Sequence, residues 1–186
     1  MTPAELVELL RQRLSERQPV ILDPPGTRRA AVIAPLVFKE GEPHVLFTKR
    51  TEDVPSHKGQ FSFPGGVIEP EDGGPLAAAL RETEEEIGVP PEQIEVIGQL
   101  DDMTTRSVPF VITPFLGVLP DGLAHVTSDR EVARILEVPL AGLLDEANRE
   151  VDPRSGHWQY RWGEDIIWGA TARMLTGLLA YTEQAH

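Results

Sequence analysis

Residues 65–89 read GGVIEPEDGGPLAAALRETEEEIGV, a pair of glycines followed by a segment crowded with glutamates. Pro75 suits the first turn of a helix and Gly88 suits a helix end, so this segment is predicted to be helical from about residue 75 to about residue 87. Because a helix advances about 100° per residue, one apolar stripe of it must face the core. That stripe consists of Leu76, Ala79, Leu80, Thr83 and Ile87.

The glutamates of this helix are not equivalent. Glu82, Glu85 and Glu86 converge on an arc beside the apolar stripe, whereas Glu84 lies on the other flank. Like charges at this spacing repel each other by about 0.2–0.5 kcal/mol per pair. A solvated acidic face tolerates that repulsion, and a site for a divalent cation makes use of it. Both interpretations remain open from the helix alone.

The residues around the glutamates favour the metal site. Gly65 and Gly66 permit a close backbone approach just before an acidic helix, which a plain surface helix does not need. Arg81 lies one turn before Glu84 and Glu85, and we expect it to orient one of them. Converging carboxylates are the ligands of a hard cation such as Mg²⁺, which commonly bridges one or two of them to substrate phosphates.

Composition limits the classes of function. The chain has 186 residues, no cysteine and a net charge of −13, which excludes thiolate chemistry and argues against binding of nucleic acid polymers. Neither a signal peptide nor a membrane-spanning run is present in the sequence, so we expect a cytoplasmic protein without a membrane partner. The length fits one domain over residues 1–186, with residues 1–29 forming an N-terminal helix and linker that pack on it.

The rest of the chain alternates between strand and helix patterns. Thr2 and Glu5 form a capping-box pattern before the first helix, with Pro3 at its first position. Strands are predicted at 30–38, 44–50, 94–100, 110–119, 132–140 and 157–162. Helices are predicted at 141–147 and 166–181. These elements indicate an α+β fold in which a mixed β-sheet lies between helices.

Residues 65–89 also resemble the Nudix box, the loop-helix signature of hydrolases that cleave nucleoside diphosphates linked to another moiety. The box combines a glycine, a spaced acid and the pattern R-E-x-x-E-E-x-G, and it is matched here by Arg81, Glu82, Glu85, Glu86 and Gly88. The resemblance implies an α/β/α sandwich around the mixed sheet. Two departures are visible: the spaced acid, Asp72, is one residue too far from Arg81, and Thr83 replaces an aliphatic residue.

The segment upstream of the box is similar to an additional motif of the coenzyme A pyrophosphatase branch. The matching residues in LFTKRTEDVPSHKGQFSFPGG (46–66) are Leu46, Thr48, Arg50, Gly59, Phe63, Pro64, Gly65 and Gly66. The longer spacing to Asp72 is common in that branch, whereas Pro55 stands where the motif has an arginine.

The resemblance implies magnesium-dependent hydrolysis of the diphosphate of coenzyme A, giving 4′-phosphopantetheine and adenosine 3′,5′-bisphosphate. Mn²⁺ is the alternative metal. The implied metal ligands are Glu82, Glu85 and Glu86. The proton-accepting base is sought among Glu85, Glu86 and Glu131, of which Glu131 is otherwise an exposed loop acid.

Contacts to the small-molecule substrate are assigned on the same basis. The substrate-binding candidates are Arg50, Lys58, Gly65, Gly66 and Arg106, and the three cations are otherwise ordinary surface residues. ADP-ribose, a dinucleotide or an oxidised nucleoside triphosphate is the alternative substrate within the same fold. A non-catalytic nucleotide-binding module is the alternative of a different class, but such modules usually lose box glutamates. The quaternary state is expected to be a monomer or a homodimer.

Overall fold

The structure, a computed structural model, describes residues 1–51, 59–105, 109–121 and 132–182. The α-helices are α1 (Pro3–Ser15), α2 (Pro75–Ile87), α3 (Leu140–Leu144) and α4 (Gly169–Ala180). The first strands are β1 (Arg28–Lys39), β2 (Glu42–Arg50), β3 (Phe61–Ser62), β4 (Gly65–Val67), β5 (Glu95–Gln99) and β6 (Met103–Thr104). The later strands are β7 (Phe110–Val118), β8 (Val132–Pro139), β9 (Arg149–Val151), β10 (Trp158–Trp162) and β11 (Asp165–Ile167). Single 3₁₀ turns occupy Pro91–Gln93 and Glu146–Asn148.

Strand β1 is the centre of the larger sheet. It pairs antiparallel with β2 along one half and with β4 along the other, and it pairs parallel with β7. Strand β7 in turn pairs antiparallel with β5 and β6, and β2 pairs antiparallel with β3 and β8. Strands β9, β10 and β11 form a second, antiparallel sheet. The predicted mixed sheet is therefore confirmed.

Helices cover both faces of the large sheet. On one face, Ala78, Ala79 and Ile87 of α2 pack against Ala31 and Ile33 of β1. On the other face lies a larger core that combines the inner sides of α1 and α4 with the small sheet. Its buried members from these elements include Leu6, Leu10, Leu175, Leu178, Tyr160 and Ile167. This arrangement confirms the predicted placement of helices on both sides of a mixed sheet.

Local signals in the sequence fix several element ends. Thr2 Oγ1 accepts a hydrogen bond from the Glu5 backbone N–H at 3.3 Å, and a Glu5 carboxylate oxygen accepts one from the Thr2 N–H at 2.7 Å, as the capping box predicts. Helix α2 has the predicted bounds and ends at Gly88, whose φ of 70° is easily adopted by glycine. Helix α4 begins at Gly169 rather than at residue 166, because the preceding residues pair with β10 as strand β11.

No helix in the described ranges is long and apolar enough to cross a membrane.

Candidate metal-dependent hydrolytic site

The glycine pair lies in the short strand β4 along β1. Gly65 is paired with Val32 and Gly66 with Ala31. Gly65 has a φ of 151°, and a β-carbon added to it would lie 2.3 Å from the carbonyl oxygen of Ala31. No side chain fits such a distance from rigid backbone, so glycine is required at this position.

Phe63, two residues before Gly65, anchors this strand in the hydrophobic core. Its side chain is fully buried and stacks on Phe47 of β2, with ring centroids 5.2 Å apart and an interplanar angle of 16°. Stacked aromatic pairs of this kind stabilise a fold beyond the area that they bury. The backbone that carries Gly65 and Gly66 is therefore fixed both by pairing with β1 and by the core beneath it.

Gly66 makes room for the carboxylate of Glu82. A β-carbon on Gly66 would lie 2.5 Å from the Glu82 Cδ and 2.6 and 2.7 Å from its two carboxylate oxygens. The Glu82 side chain is 18% exposed, so its carboxylate is close to the backbone while still open to solvent. Helix α2 thus places one carboxylate directly on the glycine strand.

Glu86 places a second carboxylate beside the neighbouring glycine. The Glu86 Oε2 accepts a hydrogen bond from the Gly65 N–H at 3.3 Å, and its Oε1 lies 3.9 Å from Nη1 of Arg50. The residue is only 3% exposed. An ionised carboxylate at this depth is costly unless cations and hydrogen-bond donors compensate its charge. One helical turn therefore delivers two carboxylates to two successive backbone residues.

Arg81 is held rigidly by the acid that precedes the helix. Asp72 accepts hydrogen bonds from Arg81 Nε at 2.8 Å and from Nη2 at 3.0 Å, and its side chain is 6% exposed. These bonds, with a further one from the Glu69 N–H, lower the pKa of Asp72 to about 2. The bond to Asp72 in turn raises the pKa of the Arg81 guanidinium above its ordinary value.

The anchored guanidinium also contacts the glutamates. Arg81 Nη1 donates to Glu82 Oε1 at 2.8 Å and to Glu85 Oε1 at 3.2 Å. Of the two partners that the sequence allowed for Arg81, the structure selects Glu85; Glu84 is exposed on the other flank. The contact to Asp72 was not anticipated, because a nine-residue separation across a loop leaves no periodic signal in the sequence.

Arg50 enters the site from the end of β2. The register between β2 and β8 shifts between Lys49 and Arg50, an irregularity of the kind that redirects side chains near functional sites. The Arg50 side chain is 25% exposed, and its buried Nε has no hydrogen-bond partner within the described part of the chain. The sequence indicates Arg50 as a phosphate ligand, but it contains no signal that places this residue beside Glu86.

The predicted helical stripe was partly wrong. The buried residues of α2 are Ala78, Ala79, Thr83, Glu86 and Ile87, while Leu76 and Leu80 are half-buried. Glu86 thus belongs to the buried face rather than beside it, and its charge there is met in part by Arg50 and the Gly65 N–H. By contrast, the Glu85 side chain is 61% exposed.

Three of the candidates, Lys58, Arg106 and Glu131, lie outside the described residues. The structure brings together Arg50, Gly65, Gly66, Glu82 and Glu86, with Glu85 at the exposed edge.

The residues that meet at this site have side chains suited to binding a hard divalent cation. Glu82 and Glu86 supply carboxylate oxygens, and Gly66 leaves the space that a side chain would fill. Within the described ranges, no three acidic, histidine or cysteine side chains already form a metal-binding group; Arg81 contacts Glu82 and Glu85 instead. Two carboxylates still meet the usual need of Mg²⁺, which takes its remaining ligands from water and phosphate.

Comparison with known proteins identifies relatives over most of the chain. The NUDIX domain family matches residues 27–159. A protein of Photorhabdus laumondii described as "Uncharacterized Nudix hydrolase NudL" is 38% identical over 156 residues, covering 81% of this chain and 82% of the relative. A protein of the same description from Enterobacter is 37% identical over 177 residues, covering 92% of this chain and 88% of the relative.

A solved structure shares the fold over nearly the whole chain. The MutT/nudix family protein from Enterococcus faecalis superimposes with a TM-score of 0.62, covering 99% of this chain and 75% of that protein at 13% identity. At this identity the likeness concerns the fold.

Proposed function

The chain belongs to the Nudix hydrolase family, and we propose that its acidic site hydrolyses the diphosphate of coenzyme A in the presence of Mg²⁺. The products are 4′-phosphopantetheine and adenosine 3′,5′-bisphosphate. The observation that carries the proposal is the meeting of two carboxylates, Glu82 and Glu86, with the successive glycines 66 and 65, while Arg50 lies beside the second carboxylate.

Each residue has a distinct task in this proposal. Glu82 and Glu86 hold the metal, with Glu85 as a third carboxylate at the exposed edge. When bound there, Mg²⁺, or Mn²⁺ in its place, would neutralise phosphate charge and lower the pKa of a bound water. Arg81, locked by Asp72, orients the carboxylates of Glu82 and Glu85.

The hydrolytic reaction needs a group that accepts the proton of the attacking water. A water oxygen forms a bond to one phosphorus, and the bridging P–O bond breaks, so that the other phosphate group leaves with the bridging oxygen and its electron pair. The proton of the water passes to a carboxylate and then to solvent. We assign the proton to Glu85, because it is the most exposed of the three glutamates and Arg81 fixes its position. Glu86 is buried against Arg50, and Glu131 lies outside the described residues; both are the alternatives to Glu85.

The phosphates of the substrate are assigned to cations and backbone. Arg50 reaches the site from β2 with an Nε that lacks a hydrogen-bond partner in the described ranges, which supports a role in binding an anion. The backbone of Gly65 and Gly66 offers a surface without side chains. Lys58 and Arg106, outside the described residues, complete the proposed set.

The choice of coenzyme A rests on the motif that precedes the Nudix box. Leu46, Thr48 and Arg50 of that motif lie on β2, and the motif ends in the strand that meets the glutamates. Leu46 and Thr48 are buried, so the residues that this motif contributes to the site are Arg50 and the two glycines. ADP-ribose and oxidised nucleoside triphosphates share the diphosphate but lack the pantetheine arm, so they are the informative competitors.

Substrate choice is tested by ranking catalytic efficiencies. Purified protein with Mg²⁺ is assayed for kcat/KM on coenzyme A, ADP-ribose and an oxidised nucleoside triphosphate. We expect coenzyme A to be cleaved at least about tenfold more efficiently than either competitor, a difference of about 1.4 kcal/mol in transition-state binding. More efficient cleavage of a competitor would reject coenzyme A as the substrate but would still support a hydrolytic role for the site. If no compound is cleaved, the result would favour a nucleotide-binding module.

A further inference from the structure

Two arginines face the glutamates of α2, and they are held very differently. Arg81 makes two bonds to Asp72, at 2.8 and 3.0 Å, and further bonds to Glu82 and Glu85. The Arg50 Nη1 lies 3.9 Å from Oε1 of Glu86, beyond hydrogen-bond distance. The Arg50 Nε is buried without a hydrogen-bond partner in the described ranges. Arg81 is therefore anchored, whereas Arg50 keeps unused hydrogen-bonding capacity.

We propose that Arg50 is an exchangeable counter-ion that links metal binding to substrate binding. In the metal-free protein its guanidinium compensates the charge of the buried Glu86 carboxylate. When Glu86 takes a divalent cation as its counter-ion, the guanidinium is released and binds a phosphate of the substrate. This inference rests on the proposed function for the identity of the substrate, but its first half concerns only the metal and the protein.

The burial of Glu86 supports such an exchange. A carboxylate that is 3% exposed needs a compensating charge, and Arg50 supplies one in the structure. A divalent cation bound to the Glu86 carboxylate would repel the guanidinium that lies 3.9 Å from the same carboxylate. Arg50 must therefore weaken metal binding in the absence of substrate, although it belongs to the same site.

The phosphate provides the new partner for the displaced guanidinium. Arginine presents a fork of donors that matches phosphate oxygens, and hydrogen bonds between such charged groups are among the strongest in proteins. Phosphate would satisfy the Nε that now lacks a partner in the described ranges. The contribution of Arg50 to the binding free energy thus changes sign between the two binding steps. It disfavours binding of the metal and then favours binding of the substrate.

The test measures metal affinity directly in the variant Arg50→Gln. Binding of Mn²⁺ to the substrate-free protein is followed by the electron paramagnetic resonance signal of the free ion. We expect Arg50→Gln to bind Mn²⁺ roughly tenfold more tightly than the wild type, while its KM for coenzyme A at saturating Mg²⁺ rises about tenfold or more. Arg50→Lys keeps the charge and should bind Mn²⁺ nearly as the wild type does.

Thermal unfolding gives a second readout that does not depend on activity. Without metal, Arg50→Gln leaves Glu86 without this counter-ion, so its melting temperature should be lower than that of the wild type. Because a ligand stabilises the folded state more when it binds more tightly, added Mn²⁺ should raise the melting temperature of Arg50→Gln by more. This measurement remains informative if the variant folds poorly without metal.

A neighbouring lysine supplies the control for net charge. Lys49→Gln also removes one positive charge, but the Lys49 ammonium lies over the ring of Phe61, 5.4 Å from its centroid, and not beside Glu86. We expect Lys49→Gln to leave Mn²⁺ affinity unchanged. If Lys49→Gln gained as much Mn²⁺ affinity as Arg50→Gln, the gain would be explained by the change in net charge alone, and the proposal would be overturned.

The sign of the change separates this proposal from a structural role. If Arg50 only orients Glu86, Arg50→Gln binds Mn²⁺ more weakly, and if Arg50 only contacts substrate, Mn²⁺ affinity does not change; either result overturns the exchange. An unchanged KM in Arg50→Gln would overturn its second half. If the wild type does not cleave coenzyme A, the proposed function is rejected. The Mn²⁺ measurements still decide whether Arg50 competes with the metal.

Discussion

The carboxylate of Glu82 occupies the space that a side chain on Gly66 would need: a β-carbon there would come within 2.5 Å of the Glu82 Cδ. One turn further along α2, the Glu86 carboxylate accepts a hydrogen bond from Gly65. The glycine pair therefore serves two purposes. Gly65 lets the strand lie against β1, and Gly66 lets the first carboxylate lie against the strand.

The variant Gly66→Ala tests the second purpose. The methyl group meets the flexible end of Glu82 rather than backbone, so the protein should fold while the carboxylate is displaced. A displacement of about 1 Å can cost about a hundredfold in rate, and we expect a loss of that order in kcat/KM with little change in melting temperature.

Gly65→Ala is the matched comparison. Its methyl group meets the backbone of Ala31 and Val32, and its φ of 151° disfavours any side chain. We expect a loss of about 1–3 kcal/mol or more in the free energy of unfolding, measured in urea. Equal effects of the two alanines on stability would contradict the division of roles between the glycines.

Glu86→Gln tests the buried carboxylate. The amide preserves size but removes the charge that holds a cation, so kcat/KM should fall by more than the 10–100-fold typical of residues that only support a ligand, that is by at least about a hundredfold. Circular dichroism should show an unchanged fold. Glu84→Gln is the control on the same helix, because Glu84 is exposed on the opposite flank; near-normal activity in Glu86→Gln, or an equal loss in Glu84→Gln, would refute the ligand assignment.

Asp72→Asn should reveal how much of the site depends on the anchoring of Arg81. Loss of the two charged hydrogen bonds to the guanidinium frees the group that orients Glu82 and Glu85, so kcat/KM should fall about tenfold. The exposed neighbour Glu71 supplies the control, and Glu71→Gln should retain wild-type activity. Full activity in Asp72→Asn would show that Arg81 needs no anchor.

The same residue predicts an acid dependence of stability. The pKa of Asp72 is lowered to about 2 in the folded protein, against about 3.9 in an unfolded chain. Its stabilising contribution is therefore complete above about pH 4 and is lost as the pH falls toward about 2, because the unfolded chain binds the proton first. The difference in unfolding free energy between wild type and Asp72→Asn should narrow over that window; a difference that stays constant would mean that the charge of Asp72 does not stabilise the fold.

Phe63→Ala tests the support beneath the glycine strand. The ring is 1% exposed and stacks on Phe47, so truncation should cost about 3–5 kcal/mol of unfolding free energy in urea. Phe63→Leu keeps most of the volume and should cost less. If Phe63→Ala proves as stable as the wild type, the core below the site does not hold the strand as described.

Much of the fold was predictable because its signals are local. Pro75 and Gly88 mark the ends of α2, and Thr2 with Glu5 marks the start of α1; each acts within one helical turn. The start of α4 was misplaced because Ile166 and Ile167 suit a helical stripe as well as a strand, and only pairing with β10 decides between them.

The sequence predicts which residues belong to the site better than it predicts the contacts between them. Glu82, Glu85 and Glu86 stand out by their spacing. The buried carboxylate of Glu86, however, lies beside Arg50, which is 36 positions away in the chain and stands at the end of β2. Likewise, the bond of Asp72 to Arg81 depends on the path of the loop between them. Such pairings are set by tertiary structure, which a helical projection of α2 does not contain.

We propose that this acidic site cleaves the diphosphate of coenzyme A with the help of a divalent cation. The most direct measurement is to incubate wild type and Glu86→Gln with coenzyme A, with and without Mg²⁺, and to identify the products by mass spectrometry. We predict that wild type with Mg²⁺ forms 4′-phosphopantetheine and adenosine 3′,5′-bisphosphate, while chelated wild type and Glu86→Gln leave coenzyme A intact. Intact coenzyme A in the wild-type reaction, or products that form equally well in Glu86→Gln, would contradict the claim.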